Sequence, residues 1–355
     1  MSKQYDPGIP AMENHAHLCF PQPVDDSVKG FEALCAQLSI SRIGLLSVPR
    51  CDHNEPYHDI LENLKVLYIK DRLSLPCHAY AGCVWHGDDP ALYLQQGKEA
   101  MEMGFDAFKF LEMHPRVRKE IGKGLNHPSF SAFFSYANEL GSVVLCHVGD
   151  PRASWDIKTA TPTAIALGRV YGKEHLTLDE LYAEMEEVIA RYPRVRFILA
   201  HFYFISGNYE GACRLLDTYP NVYLDLTAGG EMYVNFSKDT SLWKNFFLRY
   251  QDRLILGSDL YAAGYGEVRH ELARNFLEGS QPFDYFGNTI TPMPLPRDVL
   301  EKIYMKNILS LLGDTPRPVN REKAYAHCQW IQAHHMDQLS PLGKENLETM
   351  MHFWK

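Results

Sequence analysis

Short apolar runs recur along the chain, separated by amphipathic segments, and this alternation predicts strands and helices. Most of the runs are almost continuously apolar, as expected for parallel strands covered on both faces. The eight predicted strands are AMENHAH near residue 11, SRIGLLSV near 41, LPCHAYAGCVW near 75, FDAFKFLE near 105, SVVLCHVG near 142, RVRFILAHF near 194, NVYLDLT near 221 and RLILGSD near 253.

The segments between the runs carry helix signals. DDSVKGFEALCAQL begins with acidic residues, LTLDELYAEMEEVIARYP has a threonine cap and ends at Pro193, and YEGACRLLDTYP ends at Pro220. RDVLEKIYMKNILSLLGD would supply the helix after the last strand. Eight strands alternating with helices predict an α/β fold, a (β/α)8 TIM barrel. A doubly wound sheet is the alternative, but no glycine-rich phosphate loop follows the first predicted strand.

Two loop insertions and a C-terminal tail depart from the alternation. Residues 150–176 follow the fifth predicted strand and residues 260–297 follow the eighth. Because barrel active sites lie at the C-terminal ends of strands, we expect both insertions to form walls of a site or a lid. We predict that residues 1–314 form the barrel, and that residues 315–355 form a helical extension packed on the barrel or on a partner subunit.

Composition and charge restrict the class of protein. The 355 residues are 46% hydrophobic and carry a net charge of −9, which argues against nucleic acid as the main partner. The eight cysteines form no CxxC pair and most lie in apolar surroundings, which favours reduced, buried thiols. No run is long enough to span a bilayer. The N-terminal segment lacks the apolar core of a signal peptide. We therefore expect a cytoplasmic protein with no membrane partner.

Metal-binding and titratable side chains lie at the ends of the predicted strands. His15 and His17 end the first run, and residues two apart in a strand point to the same face, as two ligands of one metal ion require. His147, His201 and Asp259 end the fifth, sixth and eighth runs. A single histidine in an apolar strand is more often a hydrogen-bonded core residue. The prediction of a metal site therefore rests on all of these side chains lying at strand ends.

Lys109 lies inside the fourth run. The alternation of DAFKF puts Ala107 and Lys109 on one face of the strand and Phe108 on the other, towards the helices. An ammonium group inside a barrel is costly to desolvate, so Lys109 needs an anion, either on a substrate or on the lysine itself as a carbamate.

The segments NHAH, FDAFKF, CHVGD, ILAHF, LILGSD and YMKNILSLLG together resemble the amidohydrolase superfamily. The similarity is to its amidohydrolase-related branch, which contains metal-dependent hydrolases and non-oxidative decarboxylases of TIM-barrel fold. By this resemblance His15, His17, His147 and Asp259 would hold a metal ion. His201 would bind a second metal in binuclear members, and would act beside the metal as an acid, a base or a polarising group in mononuclear ones.

The resemblance also bears on the number of metal ions. Glu13 stands where the family often has an acidic residue, two places before the first histidine. Lys109 matches the carboxylated, metal-bridging lysine of binuclear members, but in this branch a lysine there often stays unmodified and contacts an anionic substrate. We therefore expect one divalent ion and regard a second as less favoured. Zinc is preferred from the ligand types, with manganese or iron as alternatives.

The sequence therefore predicts a metal-dependent hydrolase of a small amide, lactone or ester. Asp259 would accept a proton from the attacking water, and His201 would polarise the carbonyl or protonate the leaving group. Lys109, Glu112, Arg50 and Tyr203 are the predicted substrate-binding residues, for a small molecule that carries a carboxylate. The alternatives are a decarboxylase of an aromatic or unsaturated acid and a non-catalytic ligand-binding barrel. We also expect a homo-oligomer.

Overall fold

The structure is a computed structural model of the chain. It describes residues 3–18, 21–52, 56–228, 231–262 and 266–355, and it describes the side chains of all of these except residues 50–52 and 56–58. Within these ranges the strands are β1 Ala11–His17, β2 Ile40–Leu46, β3 Arg50–Asp52, β4 Pro56–His58, β5 Cys77–Gly82, β6 Ala107–Met113, β7 Val143–Val148, β8 Arg196–Leu199, β9 Val222–Asp225, β10 Leu254–Ile255, β11 Leu260–Tyr261, β12 Phe283–Tyr285 and β13 Asn288–Ile290.

The helices lie between successive strands of the main sheet and after its last strand, β11. They are α1 Val24–Leu38, α2 Glu62–Arg72, α3 Pro90–Met103, α4 Pro115–Ile121, α5 Ser131–Leu140, α6 Pro162–Ala166, α7 Leu178–Arg191, α8 Tyr209–Thr218, α9 Met232–Lys238, α10 Thr240–Arg249, α11 Glu267–Glu278, α12 Arg297–Glu301, α13 Asn307–Leu312, α14 Arg321–His334 and α15 Pro341–Trp354. Short 3-10 segments lie at Pro128–Phe130, Arg152–Trp155 and Gln251–Arg253, and a π-helical turn, Lys302–Lys306, joins α12 to α13. None of the described helices is long and apolar enough to cross a membrane.

Nine parallel strands of the described chain form one sheet in the order β10-β9-β8-β7-β6-β5-β2-β1-β11. Its two edge strands, β10 and β11, are separated by only four residues, so one short segment, 254–261, pairs with β9 at its start and with β1 at its end. Asn14 N also donates to Leu256 O across this segment at 3.4 Å. The segment acts as the eighth barrel strand, and the predicted α/β fold, a TIM barrel with a C-terminal helical part, is confirmed.

The strand and helix predictions agree with the observed elements. All eight apolar runs contain strands of this sheet. The threonine cap is observed at Thr177, where a capping box opens α7 because the Thr177 side chain accepts from Glu180 N and Glu180 accepts from Thr177 N. The hairpins β3–β4 and β12–β13 are additions that the alternation did not indicate.

Buried side chains form two apolar layers. The barrel interior is filled by a small cluster that includes Met12, Leu145 and Ile198, and α13 closes it with Ile308. A larger cluster lies between the strands and the surrounding helices, and Phe108 belongs to it. Phe108 contacts the Phe133 ring of α5 at a centroid distance of 4.8 Å, as the alternation in β6 predicted.

A β-bulge in β1 changes which residues face the interior. Glu13 pairs with Ile43 and Ala16 with Leu45, so three steps along β1 match two along β2. Met12 thus faces the interior cluster while Ala16 packs in the outer layer. Because of the extra residue, the side chains on either side of Ala16, His15 and His17, point towards the barrel interior.

The C-terminal tail packs on the barrel. Arg321 of α14 forms an ion pair with Asp71 of α2, and Trp354 Nε1 of α15 donates to the same carboxylate at 3.0 Å. Asn346 Oδ1 accepts from Val24 N at 2.8 Å, which ties α15 to the start of α1. The division between residues 314 and 315 stays a prediction.

Replacing Lys70 tests the support of β6. Lys70 Nζ lies 2.6 Å from Asp106 Oδ2 just before β6, and both side chains are almost fully buried. Asp106 also accepts from Ala79 N of β5 and from Arg317 N. Lys70→Met removes the ammonium that faces this buried carboxylate, so the free energy of unfolding in urea should fall by about 3 to 5 kcal/mol.

The matched control is Lys29→Met, which breaks the exposed Lys29–Asp26 pair. That change should alter the free energy of unfolding by about 0.5 kcal/mol or less. Equal effects of the two substitutions would contradict a structural role for the buried pair.

Candidate metal centre

The two histidines at the end of β1 are held in one tautomer. His15 Nδ1 lies 2.6 Å from Asp225 Oδ2 and 3.0 Å from Thr227 Oγ1, and His17 Nδ1 lies 3.2 Å from Leu46 O. Because a carboxylate and a carbonyl only accept hydrogen bonds, each Nδ1 carries the proton and donates. Each Nε2 therefore keeps its lone pair for a metal ion.

Asp259 is the acid that faces these lone pairs. Its Oδ1 lies 3.5 Å from His17 Nε2 and 3.9 Å from His15 Nε2. Its Oδ2 accepts from Arg269 Nη1 of α11 at 2.5 Å. One carboxylate oxygen is thus held by a cation, and the other faces the two imidazoles together with the Tyr261 hydroxyl, at 3.3 Å.

These separations fit a bound divalent ion. Ligand atoms about 2.0 to 2.1 Å from a tetrahedral zinc ion lie about 3.3 Å from one another. The two nitrogen–oxygen separations are close to that value and too long for hydrogen bonds. His15, His17 and Asp259 offer ligand atoms that all lie within 4.8 Å of one another. The residues present therefore fit a metal ion of the predicted kind.

Buried acids fix the backbone around these ligands. Asp225 Oδ1 accepts from His201 N at 2.7 Å, so this one carboxylate orients His15 and anchors the turn after β8. Glu13 accepts from His15 N at 3.0 Å and from Ser258 N at 2.7 Å. It thereby joins β1 to the segment that carries Asp259.

His201 lies in an unusual backbone conformation. Four consecutive residues, His201–Phe204, have φ values between 49° and 56°, in the left-handed region that costs non-glycine residues free energy. The turn places the His201 ring 5.4 Å from the His15 ring and 4.8 Å from the His147 ring, measured between centroids. Its Nδ1 is buried and has no hydrogen-bond partner among the described residues. A donor or acceptor for a bound molecule is therefore available there.

His147 lies between His201 on one side and His114 on the other. Its Nε2 donates to Gly149 O at 3.0 Å, and its ring centroid is 5.2 Å from that of His114. His114 Nε2 lies 3.3 Å from Asp150 Oδ2, and His114, His147 and Asp150 form a second His/Asp group. The structure thus brings three of the four predicted ligands together, and His147 as the fourth stays a prediction.

Burial keeps the imidazoles neutral. Burial, and then the ammonium of Lys109, lowers the pKa of His15 to about 3. Burial likewise lowers the pKa of His201 to about 4 and the pKa of His17 well below its usual value. Burial alone would raise the pKa of Asp259, but the Arg269 guanidinium beside it holds that pKa below its usual range. At neutral pH the site thus offers uncharged nitrogens beside an ionised carboxylate.

Of the predicted substrate-binding residues, Lys109 and Glu112 lie on β6, whereas the Tyr203 ring packs against α7. Lys109 is 2% exposed on the interior face of β6, near enough to the histidines to lower their pKa values. Glu112 is buried one residue before the end of the same strand. The Tyr203 ring instead stacks on Tyr182 of α7 at 4.3 Å, with its hydroxyl buried. The side chain of Arg50 lies outside the described residues.

Sequence reasoning missed Asp225 and Arg269. Asp225 ends β9, so its strand-end position was a signal of the same kind as that of His147. Arg269 lies in α11, inside the insertion after the eighth strand, and no periodicity marks it. Its contact with Asp259 depends on how the insertion folds back over the barrel.

The chain matches one protein family in comparisons with known sequences. A model of the amidohydrolase family matches residues 62–313, more than half of the chain. A search of curated protein sequences finds no significant match.

Solved structures of similar fold include two decarboxylases and a hydratase. They are 2,6-dihydroxybenzoate decarboxylase from Rhizobium (13% identity, 86% of this chain and 98% of that chain covered, TM-score 0.55), 5-carboxyvanillate decarboxylase from Sphingomonas paucimobilis (11%, 86% and 99%, 0.52) and 4-oxalomesaconate hydratase from Rhodopseudomonas palustris (11%, 91% and 100%, 0.51). At these identities the similarity shows the fold alone.

Replacing Asp225 tests how the metal centre is held. Asp225→Asn keeps the size of the side chain but weakens the acceptor that fixes the His15 tautomer. Zinc affinity, measured by competition with a chromophoric chelator, should fall by about 10- to 100-fold. Asp217→Asn, at an exposed acid paired with Arg249, is the matched control and should leave the affinity unchanged. Unchanged affinity in Asp225→Asn would show that the carboxylate does not support the ligand.

Proposed function

Since the chain belongs to the amidohydrolase family, we propose that it is a metal-dependent hydrolase of a small carbonyl compound, such as an amide, a lactone or an ester. The observation that carries the proposal is the arrangement of His15, His17 and Asp259. The Nδ1 atoms of the two imidazoles are held by hydrogen bonds, and both Nε2 atoms face Asp259 Oδ1. These groups lie at the C-terminal ends of barrel strands.

In this proposal His15, His17, His147 and Asp259 hold one divalent ion, preferably zinc. Such an ion supplies a Lewis acid that polarises a carbonyl and lowers the pKa of water. Arg269 holds the Asp259 carboxylate in place through Oδ2, which leaves Oδ1 for a ligand or a proton.

His201 is proposed to act on the substrate. Its neutral imidazole lies within the group of histidines, and its Nδ1 is without a partner among the described residues. It can donate a hydrogen bond to a carbonyl oxygen or pass a proton to a leaving group. Asp259 is ionised at neutral pH and is the proposed acceptor of the water proton.

Lys109 is proposed to bind a carboxylate of the substrate. It is buried on the interior face of β6, and its charge acts on His15, His17, His147 and His201. An ammonium group at this position can donate charge-assisted hydrogen bonds to an anionic group bound beside the histidines. Glu112, at the end of the same strand, would contact the polar part of the substrate.

The Lys109 ammonium also favours a second candidate function, that of a non-oxidative decarboxylase of an aromatic or unsaturated acid. A buried ammonium beside the metal ligands suits a substrate that carries its reacting group as a carboxylate. Two solved structures of similar fold are named as decarboxylases of aromatic acids, which supports keeping this candidate. A panel of lactones, amides, esters and aromatic acids, assayed with the zinc-loaded protein, separates the two: hydrolysis supports the first and release of carbon dioxide supports the second.

Two alanine substitutions separate a ligand from a catalytic residue. His17→Ala should reduce zinc affinity by more than about 100-fold, since even residues that only orient a ligand contribute about 10- to 100-fold. His201→Ala should keep its zinc while kcat/KM falls by about 100- to 10,000-fold, the usual contribution of an acid–base group. Zinc content is measured by elemental analysis after desalting, and kcat/KM is measured on the best substrate of the panel.

His352→Ala, in the exposed part of the tail, is the control for both substitutions. Equal loss of zinc from the His17 and His201 variants would make His201 a ligand and would favour a binuclear site. Absence of turnover across the whole panel would contradict an enzymatic role.

Replacing Lys109 distinguishes a substrate anchor from a metal bridge. Lys109→Met removes the cation but keeps an apolar side chain of similar length. KM for an acidic substrate should rise by about 10- to 100-fold, because a charge-assisted hydrogen bond is lost, while zinc content stays the same. Loss of a metal ion from this variant would instead indicate a carbamate on Lys109.

A further inference from the structure

A cavity of about 880 Å³ lies outside the barrel, between β6, α3 and α14. This volume falls within the range of small-molecule sites. Neither Lys109 nor the histidines of the metal centre are among the described residues that line it. The cavity is therefore separate from the candidate metal centre, although both use β6: Lys109 faces the interior, while Phe108 and Phe110 face the cavity.

The floor of the cavity is aromatic. Phe108 and Phe110 contact the Phe133 ring at centroid distances of 4.8 Å and 5.1 Å, and all three rings line the cavity. Gly97 lies in the middle of α3, where a Cβ would come within 2.9 Å of Phe133. A glycine at that place lets the helix approach the rings without a side chain that would fill the floor.

The mouth of the cavity combines neutral imidazoles with acids. Burial lowers the pKa of both His86 and His327, and the Glu99 carboxylate opposes the shift in each, so it lies near both rings. Glu102 at the same mouth is already paired with Lys323. The remaining charge at the mouth is therefore negative, which disfavours an anionic ligand.

Two further side chains at the mouth suit a polar aromatic molecule. Trp330 is 49% exposed and presents its ring to the opening. His335 Nδ1 is buried and has no hydrogen-bond partner among the described residues. An aromatic ligand can stack on the Trp330 ring and donate a hydrogen bond to His335 Nδ1.

We propose that this cavity is a second small-molecule site, which binds an uncharged aromatic compound carrying a hydrogen-bond donor. The ring occupies the floor of phenylalanines, and the donor reaches the imidazole nitrogens or the Glu99 carboxylate at the mouth. That carboxylate disfavours binding of an anionic analogue of the same compound.

The test uses N-phenyl-1-naphthylamine, an uncharged aryl amine whose fluorescence rises when it is buried. The full-length protein should bind it saturably, at about one site per chain. Ala326 lines the cavity from the exposed side of α14, so Ala326→Trp should fill the mouth and weaken binding by at least about tenfold. Gln332→Trp places the same ring on α14 outside the cavity and should bind the probe like the wild type.

A second pair of probes tests the effect of charge on binding. The sulfonate analogue, 1-anilinonaphthalene-8-sulfonate, should bind at least about tenfold more weakly than the neutral amine. Glu99→Gln, at an exposed position, should narrow the difference in affinity between the two probes.

Three results would overturn the proposal. The first is equal binding of the amine by Ala326→Trp and the wild type, and the second is equal binding of the two probes by the wild type. The third is loss of amine binding in His17→Ala, which would place the probe in the metal centre. Circular dichroism and thermal unfolding of each variant confirm that the fold is retained before binding is compared.

Discussion

Closure of the parallel sheet is the constraint on which the candidate site depends. The segment 254–261 must pair with β9 and then with β1, and it passes so close to both that position 257 has no room for a side chain. A Cβ on Gly257 would lie 2.8 Å from His15 Cβ and 2.5 Å from Thr227 Oγ1. Because the segment crosses there, Asp259 comes to lie beside the β1 histidines, with a φ of 59°.

Hydrogen bonds and nearby opposite charges explain why so many polar groups can be buried together. Glu13, Asp225 and Asp259 contribute carboxylates, and Lys109 and Arg269 contribute cations, while the imidazoles stay neutral. Each carboxylate accepts hydrogen bonds from backbone N–H groups or charged side chains, which offsets the loss of hydration. Three acids against two bases leave this group of five with an excess of negative charge, a suitable setting for a divalent cation.

Strand β6 serves two environments because its side chains alternate. Lys109 extends towards the histidines, whereas Phe108 and Phe110 pack against α5 and line the outer cavity. The buried pair of Lys70 and Asp106 fixes the start of this strand. The interior face is polar near the strand ends and apolar lower down, where α13 closes the barrel.

The sequence by itself determined the (β/α)8 alternation, because burial on both faces makes each strand an apolar run. It also placed His15, His17 and Asp259 at strand ends, which parallel strands bring to one edge of the barrel. The partners that control these groups were decided only by the tertiary structure. Arg269 reaches Asp259 from a distant helix, and Asp225 accepts a hydrogen bond from His201 N in the left-handed turn. Such contacts join residues far apart in the chain, and local periodicity carries no information about them.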